Sequence, residues 1–196
     1  MNVHVLFLRL PDSTGLIPRD RVALQREFAR KALRRCAREC GAPEEGWRQD
    51  EDSVPQPNQG WCWSISHKRE WAAAAISRTP VGVDVEKIAP RRESMLDEIA
   101  ESWEWGQLGG KTWEGFFRLW TAKEATLKAN GVGISGLGEC RLAKVGQCDS
   151  LEMEFRGRRF TVSHFHHDGH VVGVTAEPNS ICWRVLDDRA RERCDA

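Results

Sequence analysis

Two runs decide how this chain reads: Val81-Gly-Val-Asp-Val-Glu86 and Phe116-Phe-Arg-Leu-Trp-Thr-Ala-Lys-Glu-Ala-Thr-Leu-Lys128. In the first, Val81, Val83 and Val85 alternate with Gly82, Asp84 and Glu86, the period-two pattern of a strand with one apolar face. Side chains two apart share a face, so both carboxylates project into the same space and Gly82 leaves room beside them. The second run predicts a helix with Glu124 and Lys128 four residues apart on one face. Three carboxylates and a nearby lysine suit a hard divalent cation holding a phosphorylated ligand.

Working outward, 196 residues suffice for a substantial core, as one domain or two small fused ones. The formal net charge is zero, so no bulk field attracts nucleic acid or an anionic membrane. The longest strongly apolar run, Trp71 to Ile76, is far short of a membrane span. Met1 to Leu10 is apolar but lacks a basic leader and a small-residue cleavage site, and it predicts a first strand. The seven cysteines form no Cys-x-x-Cys pair, and Cys36 and Cys40 have no further ligands close in sequence. Reduced thiols in a cytoplasmic protein are expected.

Asp20 is placed to cap a helix running to about Cys40 and stopped by Gly41. Leu24, Phe28, Ala29, Ala32, Leu33, Cys36 and Cys40 form its apolar arc, with Glu27, Arg30, Lys31, Arg34 and Arg38 opposite. Arg26 falls at the boundary of the arc, placed either to reach into a cleft or to lay its stem along the core. Glu44 to Gly60 reads as a loop whose Asp50, Glu51 and Asp52 are solvated. Trp61–Ser66, Trp71–Ser77 and Val81–Glu86 read as a three-stranded meander. A helix from Glu93 to Leu108 follows, then the Gly109-Gly110 break and the Phe116 helix, closed at Asn130-Gly131. Ile134 to Val145 is expected extended, followed by strands at 151–155, 158–163, 171–176 and 181–186 and a charged tail.

Ser64-Ile-Ser-His67, a turn and Trp71–Ser77 echo Thr161-Val-Ser-His164, a turn and Val171–Thr175. The echo suggests a duplicated α+β unit, a pseudo-dimer of halves 1–86 and 87–196 with the site at their junction. His164, His166, His167 and His170 fit no closed ligand set.

Gly82-Val-Asp-Val-Glu86, followed about thirty residues on by Phe117-Arg-Leu-Trp-Thr-Ala-Lys-Glu-Ala125 and Lys128, resembles the signature of 4′-phosphopantetheinyl transferases. Ser64-Ile-Ser-His67 resembles that family's motif before the metal strand, and the length and duplicated layout are similar to the surfactin-synthetase-activator (Sfp-type) branch. The resemblance implies a monomer that moves the phosphopantetheine arm of coenzyme A onto a serine of an apo acyl or peptidyl carrier protein, releasing 3′,5′-ADP. It implies Asp84, Glu86 and Glu124 as Mg²⁺ ligands. Glu124 is also implied as the general base, acting either directly or through a metal-bound water. Lys128 is implied as the partner of the pyrophosphate and leaving group, with Lys123 assisting, and His67 and Arg26 as contacts to the 3′-phosphate. Attack of a hydroxyl on a diphosphate needs positioning and neutralisation of charge rather than an enzyme nucleophile, so the absence of a Ser/His/Asp or Cys/His set is consistent.

Two departures stand out. Where relatives often carry Gly-Lys-Pro, this chain reads Asp52-Ser-Val-Pro55; and Glu101-Ser-Trp-Glu-Trp105 stands where a Phe-rich helix with a glutamate is usual, which leaves the role of Glu104 open. Competing readings are a metal-dependent phosphatase or nuclease using the same carboxylates, and a non-catalytic carrier-protein binding module. Lys87, Arg91 and Arg92 follow the metal strand, either as a docking rim for an acidic carrier protein or as a solvated basic loop.

Overall fold

The computed structural model describes residues 2–187; the predicted charged tail lies outside the described residues from 188 on. Strand β1 (Val3–Arg9) leads into the long helix α1 (Pro18–Cys40), followed by β2 (Cys62–His67), β3 (Trp71–Ser77) and β4 (Val83–Lys87). Two short helices, α2 (Ser94–Ile99) and α3 (Ser102–Gln107), precede α4 (Trp113–Ala129). A 3-10 segment, Ile134–Glu139, then leads to β5 (Arg141–Val145), β6 (Ser150–Phe155), β7 (Arg158–His167), β8 (His170–Thr175) and β9 (Ile181–Leu186).

The strands form two sheets, ordered β2-β3-β1-β9 and β4-β8-β7-β6-β5. Alternation along each strand shows how they stack. Val3, Val5 and Phe7 of β1 share one apolar cluster with Val83 and Val85 of β4 and Val172 and Val174 of β8. Leu6 and Leu8, on the opposite face of β1, pack instead with Ala32, Leu33 and Cys36 of α1. On the far side of the second sheet, Leu119 and Ala122 of α4 pack with Leu151, Met153 and Val171. The result is an α+β fold of four layers, helix on sheet on sheet on helix.

The chain does not divide cleanly between the sheets. The predicted meander ends after β3, because β4 pairs with β8, Asp84 opposite Gly173. Its valines fill the core between the sheets while its other face is roofed by α4, so β4 is buried on both sides, not one. At the other end β9 returns to the first sheet, parallel to β1, with Val3 opposite Ile181. A division between 86 and 87 falls within β4.

Several helix boundaries differ from expectation for local reasons. α1 starts at Pro18, whose fixed φ suits a first helical position, and Asp20 lies inside the first turn rather than capping it. Its end is as expected, with Gly41 in the left-handed region at φ 73°. The expected helix from Glu93 to Leu108 breaks at Ala100, which is extended, and restarts where Glu104 Oε2 accepts the Glu101 N–H at 2.8 Å. Ile134–Glu139 winds as a 3-10 segment instead of extending, with Gly136 tucked against Leu127 and Val132 where a Cβ would meet each at 2.9 Å. β7 runs on through His167, so its turn lies at Asp168-Gly169 rather than starting at His164.

Candidate active site

The site is built where the edge strands of the two sheets meet. β2 and β4 are both edge strands, and edges carry unpaired backbone groups. Here serine hydroxyls take the place of a backbone ladder: Ser64 Oγ accepts the Val83 N–H at 3.1 Å and Ser66 Oγ accepts the Val85 N–H at 3.3 Å. Ser66 Oγ in turn donates to Asp84 Oδ1 at 2.8 Å. The Ser-Ile-Ser spacing thus fixes the aspartate through the strand that carries it.

Helix α4 closes the site from above. A Cβ on Gly82 would stand 1.8 Å from the Ala125 carbonyl oxygen, so only glycine lets the helix backbone lie directly on β4. The room at Gly82 therefore admits the helix rather than a ligand. The close approach brings Lys128 Nζ to Asp84 Oδ1 at 2.7 Å and to the Val83 carbonyl at 3.2 Å. Glu86, also buried, is held from the other side by Lys68 Nζ at 2.7 Å.

Electrostatics place Asp84 centrally among the three carboxylates. Burial first, then the charge of Asp84, pushes the Glu124 carboxyl up from its usual range, and the same two causes in the same order push up Glu86. Nearby lysines oppose both shifts. Asp84 Oδ2 is buried with no hydrogen-bond partner. Among the described residues no three His, Cys, Asp or Glu side chains gather closely enough to hold an ion alone. A bare carboxylate oxygen beside two further carboxylates fits an oxygen-seeking cation whose shell is completed by ligand oxygens and water, the usual habit of Mg²⁺.

Two cavities flank this junction. One, about 600 Å³, is lined by Arg26, Arg30, His67, Lys68, Asp84 and Lys128 among others, four formal cations around one carboxylate. The other, about 580 Å³, contains Glu124 and is walled by Val54, Pro55 and the Gly131-Val132-Gly133 turn. Lys128 and Ser53 border both. His67 is pushed down from its usual value by burial and then by Lys128, Lys68 and Arg26, and its Nδ1 is buried without a partner.

Arg26, His67, Asp84 and Lys128 thus share one cavity lining, with Glu124 on the neighbouring one. Lys123 is different. It is buried and turned away from this cluster, with Nζ donating to the Ile99 carbonyl at 2.7 Å and lying 3.7 Å from Glu104. Glu104, whose role the sequence leaves open, also accepts the Leu142 N–H at 2.8 Å. One helical step of about 100° carries Lys123 off the Glu124 face. Lys123 and Glu104 bind the α2–α3 break to α4 and β5.

Several site residues were not picked out from sequence. Arg30 lies one helical turn beyond Arg26, and that spacing was the available signal. It donates to the Trp47 carbonyl at 3.1 Å and to Gln49 Oε1 at 2.9 Å, tying down the loop read as solvated. In that loop Asp50 Oδ1 accepts the N–H groups of Asp52 and Val54, and Ser53 sits at φ 65° on the rim of both cavities. Lys68 directly follows His67, in the turn between β2 and β3, and carries no sequence signal of its own. The His164–His170 cluster forms no ligand set: buried His164 faces the carbonyls of Arg118 and Asp149, and His166 pairs with the Asp149 carboxylate.

Fold and site together define a class: an α+β protein that brings carboxylates and lysines together at the junction of two sheets. Residues 80–186 match the family model of the 4′-phosphopantetheinyl transferase superfamily, and the chain belongs to that superfamily. It is similar to the 4′-phosphopantetheinyl transferase psf-1 of Bacillus pumilus, 35% identical over 92 residues, 43% of this chain and 40% of the relative. It is similar too to the 4′-phosphopantetheinyl transferase gsp of Aneurinibacillus migulanus, 37% identical over 76 residues, covering 37% of this chain and 32% of that protein. The Sfp protein of Bacillus subtilis strain 168 is 30% identical over 77 residues, 37% of this chain and 34% of its own length. The chain therefore matches well under half the length of these relatives. No helix among the described residues is long and apolar enough to cross a membrane.

Proposed function

We propose that this chain, as a monomer of two α+β halves, transfers the 4′-phosphopantetheine arm of coenzyme A to a serine of an apo acyl or peptidyl carrier protein. The observation that carries the reading is the Lys128–Asp84 contact, with its bare Asp84 oxygen, on the wall of a cavity lined by four cations. Asp84, Glu86 and Glu124 would hold Mg²⁺. When bound, that ion supplies positive charge to the diphosphate oxygens. Arg26, Arg30 and His67 receive the 3′-phosphate end of coenzyme A, and its negative charge favours the protonated form of the imidazole.

The carrier serine approaches through the second cavity, where Glu124 stands. Glu124 takes the hydroxyl proton as the serine oxygen attacks phosphorus. The new O–P bond replaces the bond to 3′,5′-ADP, and Lys128 neutralises charge building on that leaving group. The Arg91 and Arg92 loop forms the rim toward which an acidic carrier protein is steered.

The test incubates candidate apo carrier proteins with the enzyme, Mg²⁺ and coenzyme A and reads intact mass. Gain of one phosphopantetheine, lost with Asp84→Ala and with Glu124→Ala, supports the reading. Hydrolysis of coenzyme A without carrier protein would favour a phosphatase instead.

A further inference from the structure

Lys68 belongs to no motif, yet its ammonium lies 2.7 Å from Glu86 in a site that fits a cation. Its side chain is 40% exposed whereas that of Glu86 is 9% exposed, so a buried charge is neutralised by a lysine reaching in from the solvent. Without Lys68 the buried carboxylate would lose its direct ion-pair contact. The two lysines of the site are held differently. Lys128 is fixed by a second bond, to the Val83 carbonyl at 3.2 Å. Lys68 has the single Glu86 contact, a flexible stem, and the cation-lined cavity beside it. The neighbouring Lys87 cannot substitute, because it is engaged by Glu70 at 2.7 Å.

We infer that Lys68 is a placeholder cation: it neutralises Glu86 in the ligand-free protein, yields that carboxylate to the divalent ion, and moves onto the phosphates of the incoming ligand. This rests on the proposed function for the identity of the ligand. A divalent ion arriving alone must displace an ammonium that has no better partner, so its binding to the free protein is opposed. A diphosphate ligand gives Lys68 that partner, so ion and ligand each strengthen the other's binding by one common factor. The effect of Lys68 is this coupling.

The experiment titrates Mn²⁺, read by its spin-resonance signal, first alone and then with coenzyme A in the absence of carrier protein. Lys68→Met should bind Mn²⁺ alone about tenfold more tightly than the unmodified chain, and the gain on adding coenzyme A should shrink by about the same factor. Lys68→Arg should keep the original values, which a purely steric role of the side chain would not predict. Lys68→Gln provides the same charge deletion if the methionine variant folds poorly, with thermal melts as the control. Mn²⁺ binding by the folded, charge-deleted protein that is no tighter than the original overturns the inference. If coenzyme A leaves Mn²⁺ affinity unchanged in every protein while the charge deletion still tightens it, the placeholder stands and the coenzyme A reading fails.

Discussion

Gly82 and Ala125 touch backbone to backbone, so closely that a methyl group on the glycine would stand 1.8 Å from the alanine carbonyl oxygen. This contact sets the height of α4 over β4, and with it the reach of Lys128 to Asp84. Gly82→Ala should destabilise the protein by about 3 kcal/mol, as overpacking against rigid backbone does. Urea denaturation measures it, and an unchanged midpoint would mean that the helix does not rest where described.

Lys123 should act on stability rather than on coenzyme A. Lys123→Met leaves Glu104 buried and without its cationic partner, a loss of about 3–5 kcal/mol for a buried pair broken on one side. The thermal midpoint should fall sharply while the folded fraction keeps its KM for coenzyme A. Normal stability with a raised KM would return Lys123 to the ligand site.

Acid sensitivity should trace in part to His164. Burial, the main cause, lowers it from 6.5 to about 4, so the unfolded chain binds the proton more readily than the folded one between those values. Stability therefore falls as pH drops through that window, by roughly 3 kcal/mol once below it. Asp149, lowered to about 2 chiefly by its hydrogen bond from His166, acts in a separate, more acidic window. Thermal midpoints at pH 7 and pH 5 should differ less in His164→Gln than in the original chain; equal slopes would assign the effect elsewhere.

Arg26→Ala, Arg30→Ala and His67→Ala should each raise KM for coenzyme A, a loss of binding rather than of chemistry. With 3′-dephospho-coenzyme A the defects should shrink, because the lost partner is already missing from the substrate. Equal relative defects with both substrates would move these residues away from the 3′-phosphate.

Of the three basic residues after β4, Lys87 is held by Glu70, while Arg92 pairs with exposed Glu98 and Arg91 lies over the Phe117 ring. Arg91→Glu combined with Arg92→Glu should raise KM for carrier protein, most at low ionic strength, and leave kcat near normal. Unchanged carrier-protein kinetics at low salt would make the loop merely solvated.

What the sequence made legible were the features with local signals. The alternation of Val81–Glu86, the Gly41 stop and the spacing of Glu124 and Lys128 all depend on neighbours within a few residues. The assignment of β4 to the second sheet does not. Its alternation is the same whether it pairs with β3 or with β8, and the partner it takes, with Asp84 opposite Gly173, lies far along the chain where no local signal reaches. Lys123 failed for a similar reason, because its partner Glu104 lies across a helix break that periodicity did not reveal. Lys68 and Arg30 sat one position and one turn from residues already chosen, and their roles emerge only when α1 and the β2–β3 turn converge on one cavity.

The parallel pairing of β1 with β9 has a consequence in time. Val3 finds its neighbour at Ile181, so β1 has one edge uncovered until every strand of the second sheet has been synthesised. Closing so long a loop is slow compared with forming α1 or the β2–β3 hairpin. During synthesis the β1 edge is therefore an open template for a foreign strand until β9, made after the whole second sheet, closes it.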